Sequence, residues 1–162
     1  MKKLTTYDIG YIMKKFKLKS IEDFDEFGLR LKYFSSGCSR KVYTIRGYPD
    51  LVVKIPEECP EPSAVRHAKN EIKAYQVIKR STKKYKELQP HVPEIYAWNS
   101  DGVILMKKYK FVNRGNAKSE ALQKVAERLF PYNGDTDTYV ENLGRDEKGN
   151  LICIDMGCFF NW

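Results

Sequence analysis

Asp137-Thr138-Tyr139-Val140-Glu141-Asn142-Leu143-Gly144, followed after a polar stretch by Leu151-Ile152-Cys153-Ile154-Asp155-Met156-Gly157, is the part of the chain that decides its fold. An acid and an amide stand five positions apart, and a second acid ends an apolar run. Between them, Arg145-Asp146-Glu147-Lys148-Gly149-Asn150 has the composition of a hairpin turn, and Leu151 to Ile154 that of a buried strand. A strand, a turn and a second strand would bring Asn142 and Asp155 close together. Side-chain oxygens gathered in this way suit magnesium, a hard cation that takes oxygen ligands. Asp-x-Gly and an Asp/Asn pair are each common in loops, so order and context carry the inference.

The upstream half supplies that context. Leu29 to Phe34 alternates like a strand, Ser35-Ser36-Gly37-Cys38-Ser39 is a small-residue turn, and Arg40 to Arg46 alternates again. Gly47-Tyr48-Pro49-Asp50 makes a turn into Leu51-Val52-Val53-Lys54-Ile55, a β-branched run with one charge inside it. A lysine so placed serves either as an edge-strand device against further pairing or as a ligand. The helix expected after it bears on the choice. Between Ser63 and Lys86, Glu71 is the only carboxylate, and it shares a stripe with Ala64, Ala68, Tyr75 and Ile78. An acid on the inward face of a basic helix needs a cationic partner, because an unpaired buried charge is costly. Lys54 is the candidate. Val92 to Trp98 and Val103 to Lys108 complete a five-stranded antiparallel sheet.

Taken in order, these segments resemble the protein-kinase-like superfamily, and within it the small kinase-like proteins of bacteriophage and prophage genomes. Ser36-Gly37-Cys38-Ser39-Arg40-Lys41-Val42-Tyr43 with Val52-Val53-Lys54-Ile55 is similar to that group's opening hairpin. The stretch from Asp137 to Gly144, with Ile154-Asp155-Met156-Gly157, resembles its catalytic and metal motifs. The match covers about residues 29 to 157. It implies ATP with magnesium as cofactors and transfer of the γ-phosphoryl group to an acceptor that the sequence does not identify. By the same resemblance, backbone N–H groups around Ser36, Gly37, Cys38 and Ser39 would cover the phosphates. Lys54 would contact the α- and β-phosphates, and Glu71 would hold Lys54. Val103 to Met106 would lead into a hinge at Lys107-Lys108-Tyr109 whose backbone could bind adenine. Asp137 would be the catalytic base, and Asn142 and Asp155 would hold magnesium.

The chain departs from the family pattern in four places. Its phosphate loop has the single glycine Gly37 where kinases usually have three. Asp135-Thr136 stands where His-Arg usually precedes the base, so a second carboxylate either raises a pKa by repulsion or caps a turn. Met156 replaces the usual phenylalanine. Five residues follow Gly157, so a truncated second lobe is expected, with one helix around Ser119 to Phe130 and no activation segment. The competing expectation is a pseudokinase-like module that binds a host protein or nucleic acid.

The expected architecture is α+β: a minimal protein-kinase-like fold in one compact domain. It would comprise a helical cap over 1–28, an N-lobe over 29–109 with one αC-type helix, and a truncated C-lobe over 110–162. In the cap, Thr6 would cap a helix through Lys17 with Ile9, Ile12, Met13 and Phe16 inward, and Ser20 with Asp23 resembles a capping box. Packing on the sheet is the preferred role for this cap over partner binding. Pro56 to Pro62, with three prolines and three glutamates, reads as a loop.

Lys and Arg number 29 against 21 Asp and Glu, a net charge of +8, clustered at Lys14–Lys19, Lys79–Lys86 and Lys107–Lys110. Such a surface attracts polyanions, and Tyr43, Tyr85, Tyr96, Trp98 and Tyr109 add aromatic area, so nucleic acid is a candidate partner from composition, without a recognised motif. No apolar run has the length of a signal peptide or membrane span. The four cysteines form no metal spacing and suit a reducing cytoplasm, the host's if the chain is phage-encoded. Cys153 reads as a buried strand residue, and Cys38 as a loop filler or an oxidation-sensitive thiol.

Overall fold

The structure is a computed structural model that describes residues 3–37, 39–57, 63–112 and 142–156. The described residues fall into two compact units, one within 1–68 and 94–108, the other within 69–93 and 109–162. The helix expected at Ser119 to Phe130 lies outside the described residues.

The first unit is built on a five-stranded antiparallel sheet: β1 (Leu31–Ser36), β2 (Arg40–Ile45), β3 (Tyr48–Pro56), β4 (Ile95–Trp98) and β5 (Ile104–Lys107). The strand order is β1-β2-β3-β5-β4, so β3 is the central strand. Alternation decides what each face carries. Leu51, Val53 and Ile55 of β3 join Tyr43, Leu105 and Ala97 in one buried cluster. Two helices, α1 (Thr6–Lys15) and α2 (Ile21–Glu26), bring Ile9, Met13 and Phe24 into the same cluster. The N-terminal segment therefore packs on the sheet, as its apolar spacing predicts.

Several local features explain this packing. The first helix begins one residue earlier than expected: Thr5, not Thr6, is the cap, because only Thr5 has an acid three residues on, Asp8, to complete the reciprocal box. The second box, Ser20 with Asp23, forms as expected. Phe16, expected inward, is half exposed and stacks on Phe27 at 4.6 Å, because it falls at the C-cap, where the helical periodicity has ended. Gly10 permits the close contact of α1 with β4, since a Cβ there would stand 2.8 Å from that of Ala97. Asn99 is buried and ties the cap to the β4–β5 turn. Its amide donates to Leu18 O at 2.8 Å, and its Oδ1 accepts from the N–H groups of Asp101 and Val103 at 3.1 Å.

Helix α3 (Ser63–Arg80) enters the second unit at Lys69. It stops at Arg80, short of the expected Lys86. A 3₁₀ segment, Lys86–His91, follows. The second unit's sheet has three strands in the order β6 (Lys110–Phe111), β7 (Leu143–Arg145), β8 (Leu151–Cys153). One core joins them: Ala74 and Ile78 of α3, Leu88 and Val92, Leu143, Leu151, Cys153 and Met156.

Candidate functional site

Lys54 is the least ordinary residue of the first unit. Its Cα lies opposite Val42 on β2 and Ile104 on β5, so it sits on the central strand with a neighbour on each side. A blocking role at a sheet edge is thereby removed. It shares its side of the sheet with Val52, Ile104 and Met106, opposite the Leu51–Val53–Ile55 face, and is only 5% exposed. A lysine surrounded by aliphatic strand neighbours is costly to keep out of water and implies a polar or charged counterpart.

The β1–β2 turn carries the expected phosphate-loop residues. Ser36 ends β1, the N–H of Gly37 donates to Arg40 O at 2.9 Å, and Ser39 O accepts from the N–H of Glu57 at 3.0 Å. Tyr33 donates its hydroxyl to Ser36 Oγ at 3.1 Å. The turn is thus tied to the far end of the lysine strand, and Lys41 pairs with Glu57 in the same region. That ion pair raises the Lys41 pKa through the Glu57 hydrogen bond, although both groups are exposed. Cys38 lies outside the described residues.

Met106 and Lys107 end β5. The sheet already uses two of the N–H groups expected at the hinge, since Lys107 N donates to Glu94 O at 2.9 Å and Lys108 N to Asp50 O at 2.8 Å. Any adenine contact at Lys107 and Lys108 is therefore left to their carbonyls.

In the second unit, the polar loop 146–150 closes the hairpin that carries Asn142 and Asp155. Asp146 accepts from the N–H groups of Lys148 and Asn150 and from the Asn150 amide at 2.7–2.9 Å. The Asn150 side chain, helped by these N–H groups, holds the Asp146 carboxyl below its ordinary pKa. Leu143 pairs with Cys153, and beyond that pair Ile154 N donates to Asn142 O at 2.8 Å. Asn142 and Asp155 therefore flank the same end of the hairpin. Cys153 is buried and its thiol donates to Asp155 O at 3.2 Å, which ties the strand to the acid-bearing turn. Tyr109 is close by: a Cβ on Gly144 would meet its Cβ at 2.8 Å and Ile154 Cγ2 at 3.1 Å.

Glu71 belongs to this second unit and is fully buried. On α3 it precedes Ala74 and Ile78 on one face, and both of these pack in the core that contains Cys153 and Met156. A carboxylate so buried, on the face turned to that core, is costly to keep out of water and implies a polar or charged counterpart.

The structure brings Asn142 and Asp155 together in one unit, with Glu71 and Tyr109 in that same unit, and places Lys54, Met106 and the Ser36–Ser39 turn in the other. Asp137, Asp135 and Gly157 lie outside the described residues. Among the described residues no group of three or more His, Cys, Asp or Glu forms a metal cluster. An amide and a carboxylate nevertheless fit magnesium, which retains waters and takes phosphate oxygens in addition to one or two carboxylates. Asn99, Gln89 and His91 carry structural hydrogen bonds that no local pattern marks, because their partners are backbone carbonyls 81, 8 to 11 and 60 positions away.

No protein-family model and no curated protein matches the chain. A solved structure, the streptomycin–ATP–APH(2")-IIa ternary complex, is similar over 70% of this chain at 19% identity, with a TM-score of 0.41. The chain spans 38% of that protein's length. At this level of likeness, no binding or catalytic property transfers from it.

Proposed function

We propose that this protein binds ATP with magnesium in the manner of a minimal kinase and transfers the γ-phosphoryl group to an acceptor. The observation that carries the proposal is the buried Lys54 on the central strand, on the side of the sheet shared with Met106. A lysine buried on a central strand is a costly choice for packing alone, and its ammonium suits contact with phosphate. In the proposed site it contacts the α- and β-phosphates, and Glu71 sets its position. The Ser36–Ser39 turn lies over the phosphates with one glycine to ease the approach. Asn142 and Asp155 would hold the metal, which would supply positive charge beside the phosphates. Asp137 receives the acceptor's proton. The phage-type relationship and a host-cytoplasmic location belong to the same proposal and rest on sequence resemblance alone.

A second reading keeps the fold as a scaffold for an acidic or nucleic-acid partner. It is favoured by exposed aromatics with lysines over them on α1: Tyr7 is 80% exposed, and Lys15 lies 5.3 Å from the Tyr11 ring centre.

Thermal denaturation with and without Mg-ATP separates the two. Nucleotide at about 100 times its Kd stabilises by about 2.7 kcal/mol, which raises the Tm of a chain this size by roughly 5–10 °C. The rise is expected in wild type and is expected to be lost in Lys54→Ala and Asp155→Ala, each compared with its own nucleotide-free melt. With labelled ATP, phosphoryl transfer is expected to disappear in Asp137→Ala. No shift at millimolar Mg-ATP, or an equal shift in all three proteins, overturns the proposal in favour of the scaffold.

A further inference from the structure

The 3₁₀ segment Lys86–His91 holds none of the groups assigned above, yet two of its side chains bond to the two elements that carry them. Gln89 donates its side-chain amide to Ser81 O at 2.7 Å, to Ile78 O at 3.1 Å and to Lys79 O at 3.3 Å. These carbonyls stand at the C-terminal end of α3, where a helix leaves its last acceptors unsatisfied. His91 reaches the other way, with its Nδ1 2.7 Å from Leu151 O. A carbonyl only accepts, so Nδ1 carries the proton in this contact. Leu151 opens β8, the edge strand of its sheet among the described residues, and four positions later the chain reaches Asp155. Leu88 and Val92, on either side of these two polar residues, enter the core shared by α3, β7 and β8.

One short segment therefore grips the end of the Glu71 helix with one hand and the start of the Asp155 strand with the other. We propose that Gln89 and His91 are positioning residues of the nucleotide–metal site, fixing the angle between the helix that carries Glu71 and the strand that leads to Asp155. The inference rests on the nucleotide site proposed above. The lever arms make it consequential. Glu71 lies about 10 Å along the helix from Ile78, and Asp155 is up to about 13 Å of extended chain from Leu151. A tilt of about 5° at the clamp displaces a group that far away by about 1 Å, whereas magnesium demands ligand distances near 2.0–2.1 Å.

The test is a magnesium titration at fixed ATP, read as the metal concentration giving half of the ATP-dependent rise in Tm. His91→Ala is expected to raise that concentration roughly tenfold, the lower end for groups that orient metal ligands. His91→Asn, whose amide nitrogen can stand where Nδ1 stood and donate to the same carbonyl, is expected to restore most of the loss. Gln89→Ala is expected to move in the same direction as His91→Ala. Phe24→Leu, a fully buried site in the other unit, serves as the control for general destabilisation and is expected to lower the melt without moving the midpoint. Positioning is overturned if His91→Ala and Phe24→Leu give the same midpoint, or if Asn recovers no more than Ala does. A wild type that shows no Mg-ATP stabilisation fails differently, because it removes the nucleotide site itself.

Discussion

Gly144→Ala tests how tightly the β7–β8 hairpin is built. Gly144 has no left-handed backbone requirement, so alanine is conformationally acceptable, and it would reduce the freedom of the unfolded chain by an amount worth about 0.4–1 kcal/mol in favour of folding. Against this stands the space. The new methyl would sit 2.8 Å from Tyr109 Cβ, 3.1 Å from Ile154 Cγ2 and 3.3 Å from Lys110 O, where carbon pairs are comfortable only near 3.5–4.0 Å. Tyr109 Cβ is anchored to the backbone and no rotamer moves it away. Relief must come from displacing β6, whose two residues pair with Gly144 and Arg145. Overpacking of this kind costs about 1–3 kcal/mol, so the net effect is a loss of roughly 0.5–2 kcal/mol. Urea unfolding with a slope of about 2 kcal/mol per molar should show the midpoint fall by about 0.3–1 M. Amide exchange at Val112, which donates to Leu143 O at 3.2 Å, should quicken as β6 loosens. A variant as stable as wild type, with unchanged exchange at Val112, would falsify the close packing of β6 on β7.

Asn99→Ala should destabilise the first unit by about 2 kcal/mol, since it leaves Leu18 O and the N–H groups of Asp101 and Val103 without their buried partner. A chemical denaturation midpoint within error of wild type refutes that accounting. Asp146→Asn probes the hairpin turn through pH. The folded-state pKa of Asp146 is lowered, so the carboxylate's contribution is present above the unfolded value and disappears as pH falls through the depressed folded value. The Tm difference between wild type and Asp146→Asn should be largest near neutrality and close once the pH has passed well below 3.8. A difference that stays constant with pH assigns the effect to something other than that charge.

The strands of the first sheet are legible because the alternation at Arg40–Ile45 and the β-branched run Leu51–Ile55 are local properties of the sequence. The Ser20 box is legible for the same reason, as both of its partners lie within one helical turn. What could not be found locally is what joins distant segments. Thr5 and Thr6 are equally able caps, and only the reach of Asp8 chooses between them. The strand expected from Val92 starts at Ile95, where the run of Pro90 and Pro93 no longer deprives the ladder of donors. Nothing in the sequence marks Gln89 as a helix cap or His91 as the partner of a strand carbonyl. The placement of Lys54 on an interior strand follows only from the order of all five strands, a global fact that also removes the edge-strand interpretation.

Lys54 and Glu71 are the residues on which the proposed function depends most, because taking an ionisable group out of water is costly. Each is removed from water, at 5% and 0% exposure, and each stands where the neighbouring positions are aliphatic: Val52, Ile104 and Met106 beside the lysine, Ala74 and Ile78 beyond the glutamate. Buried ion pairs in proteins are commonly replaced by apolar residues of similar volume at no cost, or with a gain of about 1–4 kcal/mol, so burying a charge is a poor way to gain stability. A sequence shaped only by packing would have methionine and leucine at these two positions. Their retention in a small fold, whose total stability is on the order of 5–15 kcal/mol, makes sense if the charges are used. Under the proposed function, Lys54 would meet the polyanion, and the asparagine and aspartate at the same end of one hairpin would hold its metal. A surface that merely attracts nucleic acid would place its lysines in solvent, as α1 does with Lys14 and Lys15, and would leave the central strand apolar.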